Sequence, residues 1–79
     1  MYYVYVLKSL KDGKRYVGIT NNLERRLKEH NSGKNFSTKF RSPFLLIYSE
    51  VCQNRVGARK REKYLKSAAG RIFIKKILF

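Results

Sequence analysis

An α+β fold, with a small three-stranded antiparallel sheet flanked by helices in the order β-β-α-β-α-α, is what this sequence predicts. Residues 2–9 are aromatic or β-branched at nearly every position, an Asp-Gly turn follows directly, and later segments place apolar residues at helical spacing. A hairpin followed by helices around one further strand segregates helices against an antiparallel sheet.

The first strand is Tyr2-Tyr3-Val4-Tyr5-Val6-Leu7-Lys8-Ser9. Its apolar side chains fall on both parities, which means a strand covered on both faces and therefore central in its sheet. Lys11-Asp12-Gly13-Lys14 supplies a hairpin signal, and Arg15 to Ile19 returns as the second strand. Tyr5 and Tyr16 then lie on adjacent antiparallel strands. Thr20-Asn21-Asn22 ends this hairpin and opens a helix that runs to about His30. Asn21 with Glu24 three residues on has the pattern of a capping box, and Asn31-Ser32-Gly33 stops the helix. A basic loop from Lys34 to Pro43 leads to a third strand, Phe44 to Glu50. A second helix is expected from about Asn54 to Lys66, broken by Ala68-Ala69-Gly70. Phe73, Ile74, Ile77 and Leu78 then mark a short closing helix.

The chain has 79 residues, 43% of them hydrophobic, and is expected to form one domain, 1–79. A domain of this size buries only about 60% of the surface its unfolded chain exposes. Its longest apolar runs, Val4 to Leu7 and Phe44 to Tyr48, are too short to span a bilayer. The start, Met1-Tyr2-Tyr3-Val4, has no basic leader region and reads as a strand of the fold. The single cysteine, Cys52, excludes an internal disulfide and a cysteine-based zinc site; it is expected as a small apolar residue at a strand end in a reducing, cytoplasmic compartment.

Charge dominates the composition. Nineteen Lys and Arg against five Asp and Glu give a net charge of +14. Such self-repulsion in a small domain is tolerated when a polyanion is the partner. Nucleic acid fits better than a membrane surface, because no long helix sets a wide basic face against a wide apolar one.

Helical geometry, at about 100° per residue, sorts the first helix. Leu23 and Leu27 define its buried stripe. Arg26 and His30 lie together on one flank, and Arg25 faces solvent. Arg26 is thus the arginine that can reach a cleft against the sheet, although an arginine there can also simply cover the core rim with its stem. On the later helix Ala58 and Leu65 mark the apolar face, with Glu62 between them. A carboxylate facing a core needs a cation, either a basic side chain or a metal. Mg²⁺-like ions need only one or two carboxylates, with water and phosphate completing the shell. Asp12, Glu24, Glu29 and Glu50 are dispersed in a turn, a cap, off the stripe and at a strand end. Several convergent acids of the kind a two-metal nuclease uses are therefore missing. The lone His30 cannot build a zinc site or a triad, but it can shuttle a proton or hydrogen-bond a phosphate or a tyrosine. Tyr5 and Tyr16, taken singly, are ordinary strand residues.

Taken together, these residues resemble the GIY-YIG nuclease domain over essentially the whole chain. The two name motifs appear as Tyr3-Val4-Tyr5 and Tyr16-Val17-Gly18, the helix with its arginine and histidine as Gly18 to His30, and the glutamate segment as Ala58 to Lys66. Tyr3 stands where the first motif has glycine. In size the chain is similar to the small stand-alone members. The resemblance implies a divalent-metal-dependent endonuclease that uses one Mg²⁺ or Mn²⁺ and leaves a 5′-phosphate and a 3′-hydroxyl. It places Tyr16 at or near the attacking water, with Tyr5 sharing the proton transfer and His30 assisting it. Arg26 would sit on the scissile phosphate and Glu62 on the metal. DNA is the expected substrate, and an RNA substrate and a non-catalytic nucleic-acid-binding module on the same fold stay open as alternatives. Expected substrate contacts are Lys34, Lys39 and Arg41 in the loop, with Arg59, Lys60 and Lys63 on the later helix. The tail Ile77-Leu78-Phe79 leaves monomer and weak homodimer both open.

Overall fold

The structure is a computed structural model, and it describes residues 1–33 and 40–78. Strands β1 (Tyr2–Ser9), β2 (Arg15–Thr20) and β3 (Phe44–Cys52) form one antiparallel sheet in the order β2-β1-β3. The helices are α1 (Leu23–Asn31), α2 (Arg55–Lys66) and α3 (Ala68–Leu78). The α+β class, the element order and the central position of the first strand are as the sequence predicts.

Both faces of β1 are buried because each meets a different helical layer. Val4 and Val6 pack with Ala58 and Leu65 of α2 and Ile74 of α3. On the opposite face Tyr5 and Leu7 pack with Phe44, Leu23 and Leu27, and so against α1. The doubled parity of the β1 sequence is the record of this two-sided burial. In the β1–β2 register Tyr5 lies opposite Gly18 and Leu7 opposite Tyr16. A shift between Val6 and Leu7 interrupts the β1–β3 ladder. The hairpin closes through Ser9 N–H to the Lys14 carbonyl, 2.9 Å, and Lys14 N–H to Asp12 Oδ1, 2.8 Å.

Two local expectations are corrected. The cap of α1 is Asn22, not Asn21: Asn22 Oδ1 accepts from Arg25 N–H at 3.0 Å. With Leu23 as the first helical residue, the third is Arg25, so Glu24 is one place out of register for a capping box. It pairs instead with Lys28 at 3.5 Å on the surface. The break between the last two helices is Ser67, which is extended, whereas Ala68 to Gly70 form the first turn of α3. Ser67 Oγ donates to the Tyr64 carbonyl and accepts from Gly70 N–H. Gly70 is required by proximity rather than by a break: a Cβ there would run into the Tyr64 carbonyl and the Leu65 backbone. Glycine lets α3 fold back directly onto the end of α2.

Candidate active site

Strand register and helix phase bring four predicted residues together. Tyr5 is buried on the α1 face of β1, and Gly18 opposite it leaves room for the phenol. A Cβ on Gly18 would lie 2.5 Å from Tyr5 Oη and 3.1 Å from a Tyr16 ring carbon. Arg26 and His30, one helical turn apart, reach the same oxygen. Tyr5 Oη is 3.0 Å from His30 Nε2 and accepts from Arg26 Nε at 3.4 Å. The Tyr16 ring lies across the His30 ring at 4.9 Å between centroids and 6.3 Å from that of Tyr5. Phe44 closes the aromatic wall at 5.7 Å from His30.

The electrostatics assign protons within this node. An arginine N–H only donates. With Arg26 donating, Tyr5 can turn its own O–H to an unprotonated His30 Nε2, and every group is satisfied. His30 is fully buried, and burial, reinforced by the charge of Arg26, lowers its pKa to about 4. The imidazole is therefore neutral at pH 7. Tyr5 is raised above the usual phenol value, mainly by burial and against the hydrogen bond from Arg26. Arg26 is held in its charged form by Tyr5 and by Glu29, whose Oε1 is 3.0 Å from Nη1. Glu29 did not stand out in the sequence as part of the site. Its spacing of three residues from Arg26 is the signal that could have found it.

Glu62 stands on α2, 7% exposed. Each of its oxygens meets a cation: Oε1 lies 3.3 Å from Arg59 Nη1 and Oε2 lies 3.2 Å from Lys66 Nζ. Both partners are long and largely exposed, so these pairs are weak tethers. The Glu62 charge also contributes to the rise at Tyr5. Among the described residues no group of three or more His, Cys, Asp or Glu side chains converges. One carboxylate suits a hard divalent ion that keeps most of its water and completes its shell with phosphate. On that donor chemistry Glu62 fits an Mg²⁺- or Mn²⁺-like ion bound together with substrate.

The expected substrate contacts separate. Lys34 and Lys39 lie outside the described residues. Arg41 is engaged within the fold, with Nε 3.2 Å from Asp12 Oδ2 and Nη2 3.4 Å from the Arg15 carbonyl. Arg59, Lys60 and Lys63 line a shallow groove with Arg55 and Val56 on the outer side of α2. A second groove opens beside Arg26, lined by Thr20, Asn21, Arg25 and Arg55. Arg55 is a further cation that the sequence reading missed.

Two tyrosines from adjacent strands thus meet an arginine and a histidine from one helix, with a lone glutamate on another. The chain belongs to the GIY-YIG catalytic domain family, which matches residues 1–76. It is 48% identical over 67 residues to a UPF0213 protein of Clostridium perfringens, across 84% of this chain and 71% of that one. A UPF0213 protein of Desulfotalea psychrophila is 42% identical over 67 residues, across 82% of this chain and 60% of its own length. The solution structure of a UPF0213 protein from Bacillus halodurans superposes with a TM-score of 0.57 at 33% identity, covering 98% of this chain and 85% of that one.

Proposed function

We propose that this chain is an endonuclease that hydrolyses DNA phosphodiester bonds with one Mg²⁺ or Mn²⁺, leaving a 5′-phosphate and a 3′-hydroxyl. The observation that carries the reading is the convergence of Arg26 and His30 on the Tyr5 hydroxyl, beside Tyr16. Arg26 is always charged and is pre-set by Glu29, so it offers donors to a phosphate without reorganising. Tyr16 stands next to the attacking water. As that water gives its proton to Tyr5 Oη, Tyr5 passes its own to His30 Nε2 along the existing hydrogen bond, so the proton taken from water ends on the imidazole. Glu62 would hold the divalent ion, whose charge would stabilise the leaving 3′ oxygen. To bind it, Glu62 would exchange its contacts with Arg59 and Lys66 for the metal.

A second reading, a binding module without turnover, draws on those same contacts, since both Glu62 oxygens are already paired. The two readings part on one experiment. Labelled linear, single-stranded, nicked and branched DNA, and RNA, are incubated with Mg²⁺, Mn²⁺ or EDTA, using wild type, Arg26→Ala and Glu62→Ala. Metal-dependent cutting by wild type, reduced by about 10²-fold or more in Arg26→Ala, supports the endonuclease. Tight binding by all three proteins with no cutting supports the module. Cutting of RNA alone would replace DNA as the substrate.

A further inference from the structure

A groove lies on the far side of β2 from α1, and of its lining residues only Tyr16 and Lys66 enter the chemistry proposed for the centre. Its floor includes Val17 and Leu65, Tyr16 lies on its margin, and Arg15, Lys66 and Arg71 ring it. Three cations around an apolar floor repel one another and gain nothing from each other. The Arg15 and Arg71 guanidinium groups have no ion pair or side-chain hydrogen bond among the described residues, and both side chains are exposed. An anion carrying an apolar face would satisfy all three cations and cover the floor at once.

The groove is joined to the candidate centre by two residues. Tyr16 lines it and also packs on His30 at 4.9 Å. Lys66 lines it and also contacts Glu62 at 3.2 Å. Through Tyr16 and Lys66 the groove borders the candidate centre at β2 and α2. Each nucleotide carries one phosphate and one flat apolar base, which matches the cations and the floor respectively.

We propose that this groove is the subsite for the nucleotide next to the scissile phosphate on the cleaved strand, with Arg15 and Arg71 holding its flanking phosphates. The inference rests on the reading of the chain as acting on nucleic acid. Filling the groove also gives Lys66 a phosphate in exchange for Glu62, which frees one carboxylate oxygen for the metal.

The test compares R15Q/R71Q with K75Q/K76Q, which loses the same charge from the last turn of α3. Binding of a fluorescein-labelled single-stranded DNA oligonucleotide is followed by anisotropy in EDTA across a salt series. Each phosphate contact to a single strand contributes ~0.7 to the slope of log affinity against log salt. The expected result for R15Q/R71Q is a slope smaller by about 1.4, with K75Q/K76Q changing by less than half as much. An unchanged slope in R15Q/R71Q, or an equal change in both variants, overturns the subsite. Both replacements keep the side-chain stem at exposed positions, and circular dichroism verifies the fold. Cleavage by wild type is scored separately. A protein that cuts but shows no groove effect keeps the endonuclease reading and loses the subsite; a groove effect without cutting keeps Arg15 and Arg71 as phosphate contacts and overturns their place beside a scissile phosphate.

Discussion

At the scale of single residues the fold turns a phenol, an imidazole and a guanidinium into one hydrogen-bonded unit. Its least ordinary member is His30, neutral and fully buried against Arg26. Because its pKa falls from 6.5 to about 4 on folding, the unfolded chain binds more protons between those values. Stability is therefore complete above pH 6.5 and declines as the pH falls through the window toward 4. The slope at His30 is at most about 1.4 kcal/mol per pH unit. Thermal melts of wild type and His30→Gln should converge as the pH is lowered from 7 to 4.5. Parallel curves would show that His30 is not held neutral. The carboxylate makes a second prediction. Arg59→Gln releases one Glu62 oxygen from an exposed ion pair worth ~0.2–1 kcal/mol, so Mn²⁺ should bind up to about fivefold more tightly by titration calorimetry. Weaker binding in that variant would mean that Arg59 does not compete with the ion.

At the scale of elements, two glycines set what lies next to what. Gly18→Ala places a methyl group against the Tyr5 hydroxyl. It should abolish most activity while the circular dichroism spectrum is kept, since the clash is with the Tyr5 and Tyr16 side chains rather than with backbone. Gly70→Ala meets backbone instead, where α3 folds onto α2. Overpacking of that kind costs about 1–3 kcal/mol, a fall in Tm of at least ~4 °C for a domain of this size, measurable by calorimetry. Much of this architecture was legible in the sequence. The double parity of Tyr2–Ser9 gave a central strand, and helical phase separated Arg26 from Arg25 and isolated Glu62. What was not legible depended on contacts between distant segments. Gly70 looks like a helix breaker until Tyr64 and Leu65 are seen beneath it, and Arg41 looks like a free loop cation until Asp12 is found beside it. The one-residue error at the cap arose because Asn21 and Asn22 are chemically identical candidates. Arg15, Lys66 and Arg71 share a groove only because α2 and α3 pack along β2.

At the scale of the whole molecule, a net charge of +14 on 79 residues is distributed around the candidate centre rather than used up inside the fold. The grooves beside Arg26, on the outer side of α2 and along β2 each carry several cations. Affinity for DNA should therefore fall steeply as salt is raised, and affinity that is flat from low to physiological salt would contradict a polyanionic partner. No helix among the described residues is long and apolar enough to cross a membrane. The central claim is that the Tyr5 hydroxyl, held between Arg26 and His30, belongs to a phosphodiester-cleaving centre. Its most direct test is the single-turnover rate of Tyr5→Phe on a substrate cut by wild type, measured alongside binding affinity. Phenylalanine removes one oxygen and keeps the ring that packs in the core. The account predicts a rate lower by roughly 10²-fold or more with affinity nearly unchanged. A Tyr5→Phe protein that cuts at the wild-type rate would contradict it.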